Sequence, residues 1–224
     1  MIPRKIHMIW TTRETGRDDD PLPGEVAERV EVYRRMFPAC EVKCWSWADV
    51  QEALDDAEGR RIMAAARACT LAAMRVDLLR LAIVGRQGGT WSDVKNLPLM
   101  DFTTEYPAGK PLLLPEHFPI ESHPIPAGRL CNGFFAAVPG NDFLRAATLA
   151  ALDNIEARRP GGVFDLTGGG LFNRLVRRWS GSELFTVPWE ILWQRWIRRT
   201  PMQYNAGALH WSKRQQTEPL YRSA

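Results

Sequence analysis

The stretch Ala72 to Leu99, AAMRVDLLRLAIVGRQGGTWSDVKNLPL, holds the residues whose types and spacing could do chemistry. Asp77 and Arg80 are three apart, a spacing that places a carboxylate and a guanidinium on one side of a helix. Gly88-Gly89 then ends the helical pattern and returns the chain into a short strand-like segment, Thr90 to Val94, which carries Asp93 at its end. Ligands of open α/β sheets bind outside the carboxyl ends of the strands, so the spacing predicts a polar site that combines Asp77, Arg80 and Asp93. Plainer uses fit the same residues. An Asp-Arg pair at i, i+3 is commonly a solvated ion pair, and paired glycines after a helix are commonly a C-cap.

On these residues the sequence resembles the DXD-containing glycosyltransferases, a family that includes yeast-type initiating mannosyltransferases, bacterial capsule and lipopolysaccharide sugar transferases, and the glucosylating domains of large clostridial toxins. The family signature is an A-x-x-S-D-x-x-R helix followed by G-G-x-Y-x-D-x-D. This chain reads Ala73, Arg75 in place of a hydrophobic residue or Ser, Asp77 and Arg80, then Gly88, Gly89, Trp91 for the aromatic and Asp93 for the first acid. The separation of 16 residues from Asp77 to Asp93 agrees with the family pattern. Four more stretches match in order along the chain. IPRKIHMIW resembles the opening I-P-K-x-I-H-x-I-W, and CNGFFAAVPGNDFL resembles N-x-F-x-x-x-x-P-G-H-x-F-L. DLTGGG resembles a T-G-P turn, and LHWSK resembles the closing H-x-W/S segment.

The resemblance implies an α/β fold of the GT-A nucleotide-diphospho-sugar transferase kind, a mostly parallel mixed sheet flanked by helices, as one domain over residues 1–224. It also implies transfer of a hexose from a UDP- or GDP-linked donor, with retention, to a glycan, lipid-linked or protein acceptor in bacterial surface polysaccharide synthesis. Carried onto these positions, Ile9 and Trp10 flank the nucleotide base, Asp77 bonds ribose or donor-sugar hydroxyls, and Arg80 bonds the sugar. Asp93 faces ribose and a divalent metal (Mn²⁺ or Mg²⁺), with His210 as a doubtful second ligand, and Asn132 borders the donor sugar. Gly89, Trp91 and Ser92 complete the donor-binding segment. Gly168 and Gly169 would offer N–H groups to the diphosphate if they open a helix, and a plain tight turn is the equal alternative.

One departure bears on mechanism. Lys95 stands where the family has its second acid, so the motif is Asp93-Val94-Lys95. Carboxylates suit Mg²⁺ or Mn²⁺, and an ammonium repels either ion. Either Asp93 and His210 hold the metal through water, the arrangement favoured here, or Lys95 sits on the diphosphate in the metal's place. A catalytically silent nucleotide-sugar-binding protein is the alternative function.

The elements that must position these residues follow from periodicity. Ile6, Met8 and Trp10 share one face of a strand over residues 4–10, and Thr11 to Pro23 reads as a loop. Val26, Val30, Tyr33 and Phe37 mark an amphipathic helix that Pro38 ends. Glu41 to Trp45 reads as a strand, Ala48 to Ala57 as helix, and residues 60–87 as one long alanine-rich helix. Leu112 to Leu114 and Cys131 to Val138 read as strands, and Phe143 to Arg158 and Leu171 to Trp179 as helices. Such β-α alternation predicts a largely parallel sheet covered by helices.

Other features carry less. Glu116, His117, Glu121 and His123 lie in a proline-rich stretch, Pro107 to Pro126, read as a long acceptor-facing loop with solvated histidines. Trp189, Trp193 and Trp196 recur at helical spacing beside Arg195, Arg198 and Arg199, so a basic amphipathic helix at a membrane surface competes with core packing, the favoured reading. Cys40, Cys44, Cys69 and Cys131 lack metal or redox spacing and read as free thiols. A net charge of +3 with scattered basic residues gives no nucleic-acid signature. Neither a GxSxG, HExxH or Walker motif nor a bilayer-length apolar run occurs, and no secretory leader is legible, which predicts a cytoplasmic protein with at most peripheral contact to the inner face of a membrane.

Overall fold

In a computed structural model, which describes residues 1–11, 22–117, 129–179, 183–203 and 210–223, the chain opens with β1 (Lys5–Ile9), α1 (Gly24–Met36) and β2 (Glu41–Trp45). Three helices follow, α2 (Trp47–Ala53), α3 (Ala57–Ala68) and α4 (Ala72–Gln87), and then β3 (Gly89–Ser92) and β4 (Asn96–Pro98). Next come β5 (Leu112–Pro115), β6 (Phe134–Ala137), α5 (Asp142–Glu156), α6 (Val163–Leu166) and α7 (Gly169–Val176). The last elements are β7 (Leu184–Val187), β8 (Ile197–Arg199) and α8 (Trp211–Arg214).

Six strands form one sheet in the order β2-β1-β3-β6-β5-β7. Neighbours are parallel except at β6, which runs against both β3 and β5, so five strands share one direction. Both faces of this sheet are covered, and this is why its strands read as nearly continuous apolar runs. Ile6, Met8, Leu113, Phe134 and Ala136 face α1 and an aromatic cluster of Phe102 and Trp196. Ile9, Trp91, Leu112, Leu114, Phe135 and Ala137 face the layer of α2 to α7. Strand alternation thus assigns Trp91, and Asp93 two residues on, to the face that α4 covers.

The α4–β3 junction needs its two glycines. Gly88 and Gly89 have φ of +65° and +101°, values that L side chains rarely adopt. A Cβ at Gly89 would lie 2.7 Å from the Lys5 carbonyl oxygen and 2.9 Å from the His7 imidazole. His7 Nε2 is 2.8 Å from the Gly88 carbonyl, and the Trp45 indole donates to His7 Nδ1 at 3.1 Å. That pattern needs a neutral ring with its proton on Nε2, and burial pushes the His7 pKa down to about 4.

The architecture follows the expected one, with several local corrections. The long helix expected over 60–87 is two helices, broken at Cys69 to Leu71. Backbone from the far end of the chain fills the break: Thr70 N–H donates to Leu220 O at 2.8 Å, Arg222 N–H donates to Ala68 O at 2.8 Å, and Cys69 bridges to Tyr221. The helix expected to reach Ala57 ends at Ala53, because Asp56 caps α3 by accepting from Gly59 N–H at 2.6 Å.

The three tryptophans fall on one short helical run, residues 189–196. Ile191 to Trp196 is a single π-helical turn that passes directly into β8, which pairs antiparallel with β4 as a separate two-stranded sheet. Trp196 is a core residue whose indole donates to Glu105 at 2.8 Å, while Trp189 and Trp193 are half-buried. Five short elements, β4, α6, β7, β8 and α8, have no counterpart in the sequence reading. Among the described residues no helix is long and apolar enough to cross a membrane. The four cysteines are free thiols. Glu121, His123 and most of the loop expected after Thr11 lie outside the described residues.

Candidate active site

The site forms where α4 passes over the carboxyl end of β3. Helix α4 has ten buried residues among its sixteen, including Asp77 and Arg80, so this i, i+3 pair is an interior one and not a solvated surface bridge. The Arg80 Nη2 lies 2.6 Å from Asp77 Oδ1, and its Nη1 donates to Asp93 Oδ1 at 3.0 Å and to the Asn132 carbonyl at 2.6 Å. The guanidinium also lies over the Trp91 ring, 5.1 Å from its centroid, and the Trp91 indole donates to Asp93 Oδ1 at 2.9 Å. One arginine therefore ties a buried carboxylate, Asp77, to a partly exposed one, Asp93.

Two later segments complete the cluster. Asn132, just before β6, donates from Nδ2 to Asp77 Oδ1 at 2.9 Å, and the Thr167 hydroxyl donates to Asp77 Oδ2 at 2.9 Å. Lys95 Nζ sits 3.2 Å from Asp93 Oδ2. The two acids differ in their titration. Burial raises the Asp77 pKa against the pull of Arg80, Thr167 and Asn132. Burial also opposes the charge of Asp93, but Arg80, Lys95 and the Trp91 indole outweigh it and hold that carboxyl below the usual range. Asp93 is thus the firmly ionised member.

The backbone that carries Lys95 is held on all sides. Asp93 to Asn96 is a tight turn closed by Asn96 N–H to Asp93 O at 2.9 Å, and Asp93 N–H donates to Gly133 O at 2.9 Å. The Lys95 carbonyl accepts from Thr200 N–H at 3.0 Å and from the Thr200 hydroxyl at 3.1 Å, and Arg29 donates to that hydroxyl at 2.9 Å. Gly133 must be small, because a Cβ there would lie 2.9 Å from Asp93 Oδ2.

The structure brings Asp77, Arg80, Asp93, Lys95 and Asn132 into one network. Ile9 and Trp10 lie at the carboxyl end of β1, parallel and adjacent to β3, on the same edge of the sheet. Other expected contributors lie elsewhere. Gly89 is at the amino end of β3, where its conformation makes the turn. Ser92 alternates to the opposite face, where its hydroxyl is 2.6 Å from Tyr33 OH and accepts from Asn96 at 3.2 Å. Trp91 is 1% exposed and lies beneath the cluster as support, leaving no face for a donor base.

Gly168 N-caps α7, and its own N–H is spent on Val163 O at 3.0 Å. A Cβ at Gly169 would meet the Leu130 carbonyl at 2.5 Å, so close packing accounts for the glycines. His210 N-caps α8 through Ser212, and burial, with the charges of Lys95 and Arg199, lowers its pKa. Sequence reading passed over Thr167, although it lies in the DLTGGG stretch. It also passed over Asn96 and Thr200, whose signal is only tertiary.

The donor set does not suit a divalent cation. Among the described residues Asp93 is the acid paired with Lys95, and its two oxygens already carry a guanidinium, an indole and an ammonium. Among the described residues no group of three or more His, Cys, Asp or Glu side chains could hold a metal.

A scan against protein-family models finds no match, and neither does a search of curated proteins. Among solved structures the chain is similar to one described as PaToxG glycosyltransferase, with a TM-score of 0.54 at 14% identity over 79% of this chain and 69% of that chain. At that identity the likeness speaks to the fold. The chain shares its fold with that structure and carries an Asp-Arg-Asp-Lys cluster at the carboxyl edge of its central strand, with Asp77 and Arg80 buried and Asp93 and Lys95 partly exposed.

Proposed function

We propose that the protein is a glycosyltransferase of GT-A type that takes a sugar from a nucleoside diphosphate, UDP- or GDP-linked, and passes it to a glycan, lipid-linked or protein acceptor. The observation that carries this reading is the network of Asp77, Arg80, Asp93 and Lys95 at a sheet edge where α/β folds bind nucleotides. In the reaction the bond from the anomeric carbon to a diphosphate oxygen breaks and its electron pair leaves with the diphosphate. The acceptor hydroxyl oxygen bonds to the same carbon, and its proton goes to the departing oxygen. Attack from the face that the diphosphate leaves gives retention.

Negative charge grows on the leaving group, so fixed positive groups at that point lower the barrier. Lys95 supplies such a charge. Arg80 fixes Asp77 and Asp93 so that they can accept hydrogen bonds from sugar or ribose hydroxyls. A role in surface polysaccharide synthesis accords with the motif resemblance. Release of UDP or GDP from a panel of nucleotide sugars tests the reading: turnover should fall at least 10²-fold in Asp93→Asn, the scale of a lost transition-state contact. Nucleotide-sugar binding without release for any acceptor would favour a silent binding protein instead.

A further inference from the structure

We infer that this site binds a nucleoside diphosphate without a divalent cation, the Lys95 ammonium meeting the diphosphate oxygens directly; the inference rests on the donor reading above. Asp93 is where a cation would be expected, and the ammonium already occupies it. Lys95 Nζ is 3.2 Å from Asp93 Oδ2, while Oδ1 accepts from both Arg80 and Trp91, which uses the two lone pairs an oxygen offers. A cation on the remaining lone pair would be a close neighbour of Lys95 and would meet the guanidinium one carboxylate away. Like charges so placed repel each other, and Asp77, the other acid of the cluster among the described residues, is already engaged by Arg80, Asn132 and Thr167.

Lys95 is prepared for the part. An ammonium has three N–H donors, of which Asp93 takes one. The side chain keeps 17% exposure at the sheet edge, so it is partly desolvated yet open to a ligand. Its main chain is clamped by Thr200 and by the tight turn from Asp93 to Asn96. A point charge held this firmly does not need to be ordered when the ligand arrives. The surroundings are cationic as well. Arg80 adds a second fixed positive charge on the same carboxylate, 3.0 Å from Asp93 Oδ1, and a positive edge of that kind suits a diphosphate.

The test is calorimetric titration of the intact protein with UDP and GDP, each in Mn²⁺ and in excess chelator. Wild-type affinity should agree within about twofold between the two conditions. Lys95→Met should weaken binding at least tenfold in both. Lys95→Asp, which rebuilds two acids two residues apart, should bind only with Mn²⁺. A wild-type affinity that falls tenfold or more in chelator overturns the inference and leaves the donor reading intact. Failure of both nucleotides to bind wild type in either condition overturns the donor reading and this inference with it. The decisive comparison uses wild type alone, so a poorly folding variant does not blunt it.

Discussion

The two ends of β3 lie four residues apart and are built on opposite physical terms. At the amino end, Gly88 and Gly89 take left-handed conformations, and neutral His7 bridges Gly88 and Trp45 in a closed, well-packed corner. At the carboxyl end, Arg80, Asp77, Asp93 and Lys95 form a charged network that is mostly buried but opens at Lys95. The first end fixes where the strand starts and so where the second must fall. Geometry is stored at one end and charge at the other, and the helix α4 joins them.

The largest effect should come from the charged end. Arg80→Ala leaves the buried Asp77 without its cation and Asp93 with Lys95 alone, and a broken buried pair costs about 3–5 kcal/mol. Denaturant unfolding should register that loss together with loss of turnover. At the amino end, Gly89→Ala drives a Cβ to 2.7 Å from the Lys5 carbonyl at a φ of +101°. Overpacking and backbone strain together predict a loss of roughly 2–4 kcal/mol, read in the same way. Equal stability for that variant would break the claim that the corner is geometric.

A third prediction separates the ends by pH. His7 has a folded pKa of about 4, below its unfolded value of 6.5, so below pH 6.5 the unfolded chain takes up the proton first. The stability from His7 is therefore complete above pH 6.5 and is lost as the pH falls toward 4, by up to about 3 kcal/mol at 1.36 kcal/mol per pKa unit. His7→Gln should flatten that part of the stability profile, and an unchanged slope would contradict the neutral bridge. The smallest effect is Thr167→Val, which removes one hydrogen bond to Asp77 and should cost about 1 kcal/mol. A larger drop in turnover than in stability would show that Asp77 orientation matters to the chemistry.

Much of this comparison is legible in the chain because it is local. Helical spacing joins Asp77 to Arg80, the two glycines end the helix, and strand alternation brings Asp93 beneath α4. The same alternation sends Ser92 away, since it stands between Trp91 and Asp93. What is illegible comes from distance. Asn132, Thr167 and Thr200 reach the site from later segments, and the break between α3 and α4 exists because Leu220 to Arg222 supplies its backbone partners. Trp193 and Trp196 share helical spacing, yet pairing between β4 and β8 draws the chain out of helix one residue after Trp196. Local propensity yields there to a tertiary partner.

The most direct measurement is thermal unfolding of wild type and Asp93→Asn against UDP-, GDP-, dTDP- and CMP-linked sugars. A ligand at ~100 times its Kd stabilises by about 2.7 kcal/mol, or roughly 5–10 °C for a chain of this size. The account predicts such a shift in wild type with a UDP- or GDP-sugar, and its loss in Asp93→Asn, each protein's shift being read against its own unliganded Tm. No shift with any donor, or an equal shift in both proteins, would contradict a nucleotide-sugar site at the carboxyl end of β3.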